Sequence, residues 1–207
     1  VELVVPQRRN YIKEDPFDVY GVEKKFEIKR LWSLDLIWLP IFKRWTFWKQ
    51  SATFALSALL HVRKNKNTTL YTRDLVLALV LPKEKLFFEV HWLPEKLRWY
   101  HHRAYMRVKG LAVISEGIKD DLLKFGIPEE KITVIPEAAD DSYQPETDQG
   151  RLRAVQVKYG IAPPYLLHIG TINPRKNLEF LVRVFAKISQ DFPPVTLVIT
   201  GKKGWYF

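Results

Sequence analysis

The 207-residue sequence contains no cysteine, so neither a disulfide framework nor a thiolate metal site can be built from it. It also lacks a long hydrophobic run. A membrane-spanning helix needs about 20 apolar residues, and the apolar stretch SATFALSALL, from Ser51 to Leu60, is cut off upstream by Lys49 and Gln50. No transmembrane helix is expected. Val1 to Arg9 does not set a charged segment before an apolar core, so no secretory pattern is visible there. Zinc-finger spacing, an aromatic RNA-binding strand motif and a glycine-rich arm are all missing, which argues against nucleic acid as a partner. These absences fit a cytoplasmic protein in a reducing compartment.

What is present is an ordinary globular composition, 47% hydrophobic and 27% charged, with enough chain for a sizeable core. The formal net charge is +10, unevenly placed. Residues 1–110 carry 21 Lys and Arg against 11 Asp and Glu, whereas residues 111–207 carry 12 of each sign. The excess in the first half points to an anionic surface as partner. Segment 30–50 sharpens this, because Trp32, Trp38, Trp45 and Trp48 interleave there with Arg30, Lys43, Arg44 and Lys49. Trp with Lys and Arg is the composition of a membrane–water interface, so peripheral contact with the inner face of a membrane is one expectation. Packing of the same Trp side chains against a sheet is the other.

Short β-type runs recur at 1–6, 26–31, 68–72, 85–90, 110–115, 131–136, 165–170 and 195–200. Most are nearly continuous apolar runs, as strands covered on both faces read. Helical spacing falls between several of them, over 95–109, 116–126 and 176–190. Strands alternating with helices predict a doubly wound α/β sheet. The acidic stretch EAADDSYQPETDQG (137–150) is poor in large aliphatics and reads as a break between two α/β units. The expected division is a first domain over 1–140, a linker over 141–150 and a second domain over 151–207. The second has only two strands, too few to close a core of its own.

The stretch YLLHIGTINPRKNLEF (165–180) carries the clearest chemistry. A strand runs into Gly170, and Arg175 and Lys176 follow just as helical spacing begins. Two cations there oppose the positive end of a helix dipole. The placement makes sense if an anion, phosphate above all, rests between them and the helix-end N–H groups. Thr171 adds one hydrogen-bond donor but no charge. In FFEVHWLPEK, His91 ends a buried strand, where open α/β sheets put their ligands. YTRD ends another strand, so Thr72, Arg73 and Asp74 are candidates for the same edge, with capping of the next helix by Asp74 as the structural alternative. Adjacent His101 and His102 project from different helix faces, so they do not combine with His91 as a metal site. GKKGW (201–205) follows the last strand, either near the anion or as a surface turn.

SEGIKDDLLKFGIPEEKITVIPEAAD (115–140), YLLHIGTINPRKNLEFLVRVFAKI (165–188) and LVITGKKGW (197–205), in that order, resemble the retaining GT-B glycosyltransferases of family 4. The resemblance covers the C-terminal half well and the first half mainly through strand order and FFEVH. It implies two Rossmann-like domains with a nucleotide-sugar donor in the cleft between them, and a glycan or lipid-linked acceptor. Gly170, Thr171, Arg175 and Lys176 would then hold the donor diphosphate, and His91 would reach the donor sugar. No metal and no cofactor beyond the sugar nucleotide is implied. Two departures stand out: Thr171 where many members have Arg, and Trp92 after the histidine. The family's first strand with its glycine turn and its late E-x7-E motif are not in this sequence. The spacing of Glu129 and Glu137 is coincidental, since both flank a strand ahead of the linker. The first domain is therefore expected to lack its first strand and the second to be incomplete, as in a piece of a longer chain inactive by itself. The non-catalytic alternative is a basic module that binds an anionic membrane or nucleic acid.

Overall fold

The computed structural model describes residues 1–9, 13–36, 43–65, 67–141, 143–191 and 194–204. Trp38 and Trp205, and the side chains of Lys43 and Arg44, lie outside what it describes. The chain divides into two compact units, Val1–Ala138 and Ala139–Phe207. Both are α/β with parallel strands.

The first unit holds two parallel sheets. Strand β1 (Glu2–Pro6) pairs with β2 (Glu27–Leu31), in register from Glu2 opposite Glu27 to Pro6 opposite Leu31. Between them lies the short helix α1 (Pro16–Tyr20), capped by Asp15 and stopped by Gly21. The larger sheet has four strands, β3 (Leu70–Thr72), β4 (Leu86–Val90), β5 (Gly110–Val113) and β6 (Ile132–Val134), adjacent in chain order. Each crossover carries a helix: α3 (Leu75–Val80), α4 (Trp99–Arg107) and α5 (Glu116–Lys124), numbered after α2 (Lys43–Lys64), which precedes β3. That is the arrangement parallel neighbours require, since a hairpin cannot join them.

The core sits on this larger sheet. Leu86, Phe88 and Val90 of β4 are buried at alternate positions, and all four residues of β5 are buried. Around them pack Ala78 of α3, Ala104 and Tyr105 of α4, Leu122 of α5 and Ile127. Helix α4 starts at Trp99, later than the spacing suggested, and Leu97 reaches the core from the loop before it. Gly110 is needed for close approach, because a Cβ there would stand 2.9 Å from the Phe87 ring.

Helix α2 is an element that the sequence pattern did not mark. It buries Thr46, Gln50, Phe54, Ala55 and Ala58, and polar Thr46 and Gln50 interrupt the apolar stripe that would have revealed it. Its opposite side exposes Trp45, Trp48, Leu56 and Leu60. It contains no acidic residue. Among the described residues no helix is long and apolar enough to cross a membrane.

The second unit contains helix α6 (Gln149–Tyr159), strand β7 (Tyr165–Ile169), helix α7 (Leu178–Ile188) and strand β8 (Thr196–Thr200), with β7 and β8 paired in parallel. Helix α6 begins inside the segment read as linker. Asp148 caps it by accepting from the N–H groups of Gly150 and Arg151, and Gly160 ends it in the left-handed conformation. Among the described residues of this unit none is buried. Ile169 stays 73% and Phe180 62% exposed, as a two-stranded sheet with one amphipathic helix must leave them.

Candidate functional site

In the first unit the chemistry gathers at the C-terminal ends of β3 and β4. A cavity of about 180 Å³ opens there, lined among others by Arg73, Glu89, His91, Trp92, His101 and Tyr105. Alternation along β4 explains its polar wall. Leu86, Phe88 and Val90 point into the core, so Glu89 falls on the opposite face. Tyr71 on β3 lies opposite Phe87, which puts it on that same face.

His91 stands between two carboxylates. Its Nε2 meets Glu89 Oε1, and its Nδ1 lies 3.3 Å from Glu137 Oε1. Both His91 and Glu89 are 19% exposed, whereas Glu137 is 67% exposed. The Tyr71 side chain, on the same face of the neighbouring strand, interacts with the Glu89 carboxylate from the other side. Burial pushes the Glu89 carboxyl up, but the hydrogen bonds from His91 and Tyr71 and the charges of His91 and Arg73 outweigh it, leaving it below its ordinary value. Tyr71 moves the opposite way, up to about 12, through burial and then the carboxylate it serves.

The other first-unit candidates are placed as follows. Arg73 lines the cavity with His91. Thr72 is buried, and its hydroxyl accepts from the Asp74 N–H at 3.0 Å. Asp74 caps α3, with one oxygen accepting from Val76 and Leu77 at 2.8 and 3.0 Å. His101 shares the cavity, and its Nδ1 accepts from the Arg98 N–H at 3.2 Å. Burial and then the Arg98 charge hold its imidazole below the usual histidine value. His102 is exposed on the next helical position.

Glu89, Tyr71, Glu137 and His101 are residues that sequence reasoning did not gather. One signal was present: Glu89 and His91 are two apart at the end of an apolar strand, a spacing that puts both on one face. Glu129, by contrast, pairs with Lys119 at 2.8 Å.

In the second unit the loops after β7 and β8 are tied together. The Gly170 N–H donates to Thr200 O at 3.0 Å, Ile172 to Lys202 O at 3.0 Å, and Gly204 to Ile172 O at 2.9 Å. A Cβ at Gly201 would stand 1.8 Å from Gly170 O, so these backbones meet only through glycine. Thr171 lies in this junction, its methyl 2.8 Å from where a Gly204 Cβ would be.

Arg175 and Lys176 follow in a single 3-10 turn, Pro174–Lys176, whose Asn173 side chain accepts from the Lys176 N–H. Asn177, at φ 49°, separates this turn from α7. The two cations therefore precede the helix and are not in its first turn, where Glu179 stands. Opposition to the α7 dipole, the reason for singling them out, is weaker than the spacing suggested. Both remain exposed, and among the described residues neither has an acidic partner. The Lys176 stem crosses Gly170, with Cε 3.7 Å from where a Cβ would be, and His168 Nε2 is 3.6 Å from the same point. That nitrogen is buried without a hydrogen-bond partner.

No protein-family model matches the sequence. Among curated proteins it is similar to the O-antigen chain mannosyltransferase B of Escherichia coli, 26% identical over 110 residues. The match takes in half of this chain and 28% of that protein. The chain is a distant relative of a glycosyltransferase.

Proposed function

We propose that the chain is part of a retaining glycosyltransferase of the GT-B type, family 4, which moves a hexosyl group from a nucleotide-sugar to a glycan or lipid-linked acceptor. In this reading residues 1–140 form the acceptor-side domain, 141–150 the linker and 151–207 the start of the donor-binding domain. Arg175 and Lys176, with the backbone at Gly170 and Thr171, hold the donor diphosphate. As the bond from sugar to phosphate breaks, negative charge grows on the leaving group, and fixed cations and N–H groups stabilise it. His91 hydrogen-bonds a sugar hydroxyl, and Arg73 in the same cavity is a further contact. Thr72 and Asp74 serve this edge through the fold, by shaping the turn into α3.

The observation that carries this reading is the Gly170–Lys176 loop. It holds two cations that have no acidic partner among the described residues, beside a glycine-only backbone junction, in a chain distantly related to a sugar transferase. The test is nucleoside-diphosphate binding by the full-length protein, followed by calorimetry. A charged hydrogen bond to phosphate is worth about 1.5–3 kcal/mol, so Lys176→Ala should weaken binding about 10- to 100-fold. Unchanged affinity would remove the loop from the donor site.

A second reading is favoured by α2, whose exposed Trp45, Trp48, Leu56 and Leu60 share a helix with five Lys and Arg and no acid. It presents the acceptor side to an anionic membrane, with each cation near the surface adding about 1 kcal/mol. Co-sedimentation with vesicles containing anionic lipid tests it. Trp insertion should leave some binding at high salt, and no binding at low salt would end this reading.

A further inference from the structure

The Glu89–His91 contact raises a question that the proposed role of His91 leaves open: which ring nitrogen works, and what decides it. An imidazole has two nitrogens, and the bond made by one fixes the role of the other. In this site they face different surroundings. Nε2 is turned to Glu89, a carboxylate only 19% exposed. Nδ1 is turned to Glu137, whose side chain is 67% exposed. One nitrogen is committed to the fold and the other looks outward.

Glu89 is itself held. It follows the buried Phe88 and precedes the buried Val90 on β4, so its backbone has little freedom. Tyr71 lies one strand away on the same face and interacts with that carboxylate. Tyr71, Glu89 and His91 thus form a line running from β3 across β4 to the cavity mouth. Such a line costs stability if it is only partly satisfied, and its His91–Glu89 link is made.

We propose that Glu89, beside Tyr71 on the sheet, is the positioning residue for His91, fixing the ring with Nδ1 outward as the nitrogen that meets substrate oxygen. This rests on the reading of His91 as a sugar-contacting group. With Nε2–H given to Glu89, Nδ1 accepts a hydroxyl proton when the ring is neutral and donates when it is imidazolium. The exposed Glu137 carboxylate occupies the place a substrate oxygen would take, and substrate displaces it into solvent. Charge supports the assignment: the Glu89 carboxyl sits below its ordinary value, so it remains an acceptor for Nε2–H through the neutral range.

The test has one arm that needs no activity. Ring ¹⁵N spectra of His91 in the full-length protein should show, for the neutral ring, Nε2 carrying the proton in the wild type. In Glu89→Gln the two ring signals should move towards each other as that preference is lost, and Tyr71→Phe, at a half-exposed side chain that spares the core, should move them the same way by less. Glu89→Asp, which keeps the carboxylate, should restore part of the wild-type pattern. In the kinetic arm Glu89→Gln should lower kcat about 10- to 100-fold, the equivalent of one charged hydrogen bond, with KM changed far less. Identical His91 ring signals in wild type, Glu89→Gln and Tyr71→Phe would overturn the proposal. Ring signals that move, in a wild-type chain that transfers no sugar, would overturn the glycosyltransferase reading and leave the positioning role standing.

Discussion

Replacing Gly201 by alanine tests how the second unit holds its loops. The new Cβ would stand 1.8 Å from Gly170 O, about 1.6 Å short of the 3.4 Å at which ordinary contact begins. The atom it meets is backbone, so no side-chain rotation relieves the clash. The φ of 156° adds strain that glycine alone avoids. The two loops must separate, and separation breaks two or three hydrogen bonds: Gly170 N–H to Thr200 O, Ile172 N–H to Lys202 O and Gly204 N–H to Ile172 O. At about 1 kcal/mol net for each, the loss is roughly 2–3 kcal/mol. Local opening then becomes about 30- to 150-fold easier, which amide hydrogen exchange at Gly170, Ile172 and Gly204 reads directly. Gly21→Ala is the control, since nothing lies within 4 Å of a Cβ there and the site belongs to the other unit. Unchanged protection of those amides in Gly201→Ala would refute the argument that glycine joins the loops.

Other perturbations follow from single contacts. Asp74→Ala removes the cap that serves Val76 and Leu77 and should cost about 1 kcal/mol, seen in denaturant unfolding of the first unit. Leu122→Ala empties a fully buried position of the core and should cost about 2–5 kcal/mol in the same assay. Burial pushes the Tyr105 phenol up to about 12. The fold therefore favours the neutral phenol, and stability that is full below pH 10 is lost towards pH 12, by roughly 2–3 kcal/mol. Tyr105→Phe should flatten that decline, and identical alkaline slopes would refute it. At the acid end Glu89 has the opposite sign. Its depressed value contributes stability that is present above the ordinary carboxylate range and lost as pH falls through the folded value, a loss Glu89→Gln should lack.

The strands were the most readable part of this chain, for a physical reason. A parallel strand buried on both faces must be apolar at every position, and GLAVIS says so without context, while KLFFEV departs from it only at its first residue and at Glu89, which lines the cavity. Helices were legible where burial gave them a stripe, as in α5 and α7, and opaque where it did not. Helix α6 buries nothing, so no stripe marked it, and its first residues were read as linker. Helix α2 places Thr46 and Gln50 on its buried side and Trp45 and Trp48 outside, reversing the pattern a reader looks for. The position of His91 followed from the end of an apolar run. Its surroundings did not, because Tyr71 and Glu137 come from other strands and loops, and no local spacing joins residues 71, 89 and 137. Arg175 and Lys176 stood out for opposing a helix dipole, yet Asn177 sets them apart in a turn of their own, a break that helical periodicity does not register.

The bonds between the loops after β7 and β8 have a thermodynamic consequence: Gly170 and Thr200, Ile172 and Lys202, and Gly204 and Ile172 tie the two loops to each other. An anion resting on the 170–176 loop would also steady the 201–204 loop through those bonds. Occupancy and order would then be linked quantities, and the stability of the unit would rise with the logarithm of ligand concentration above its dissociation constant.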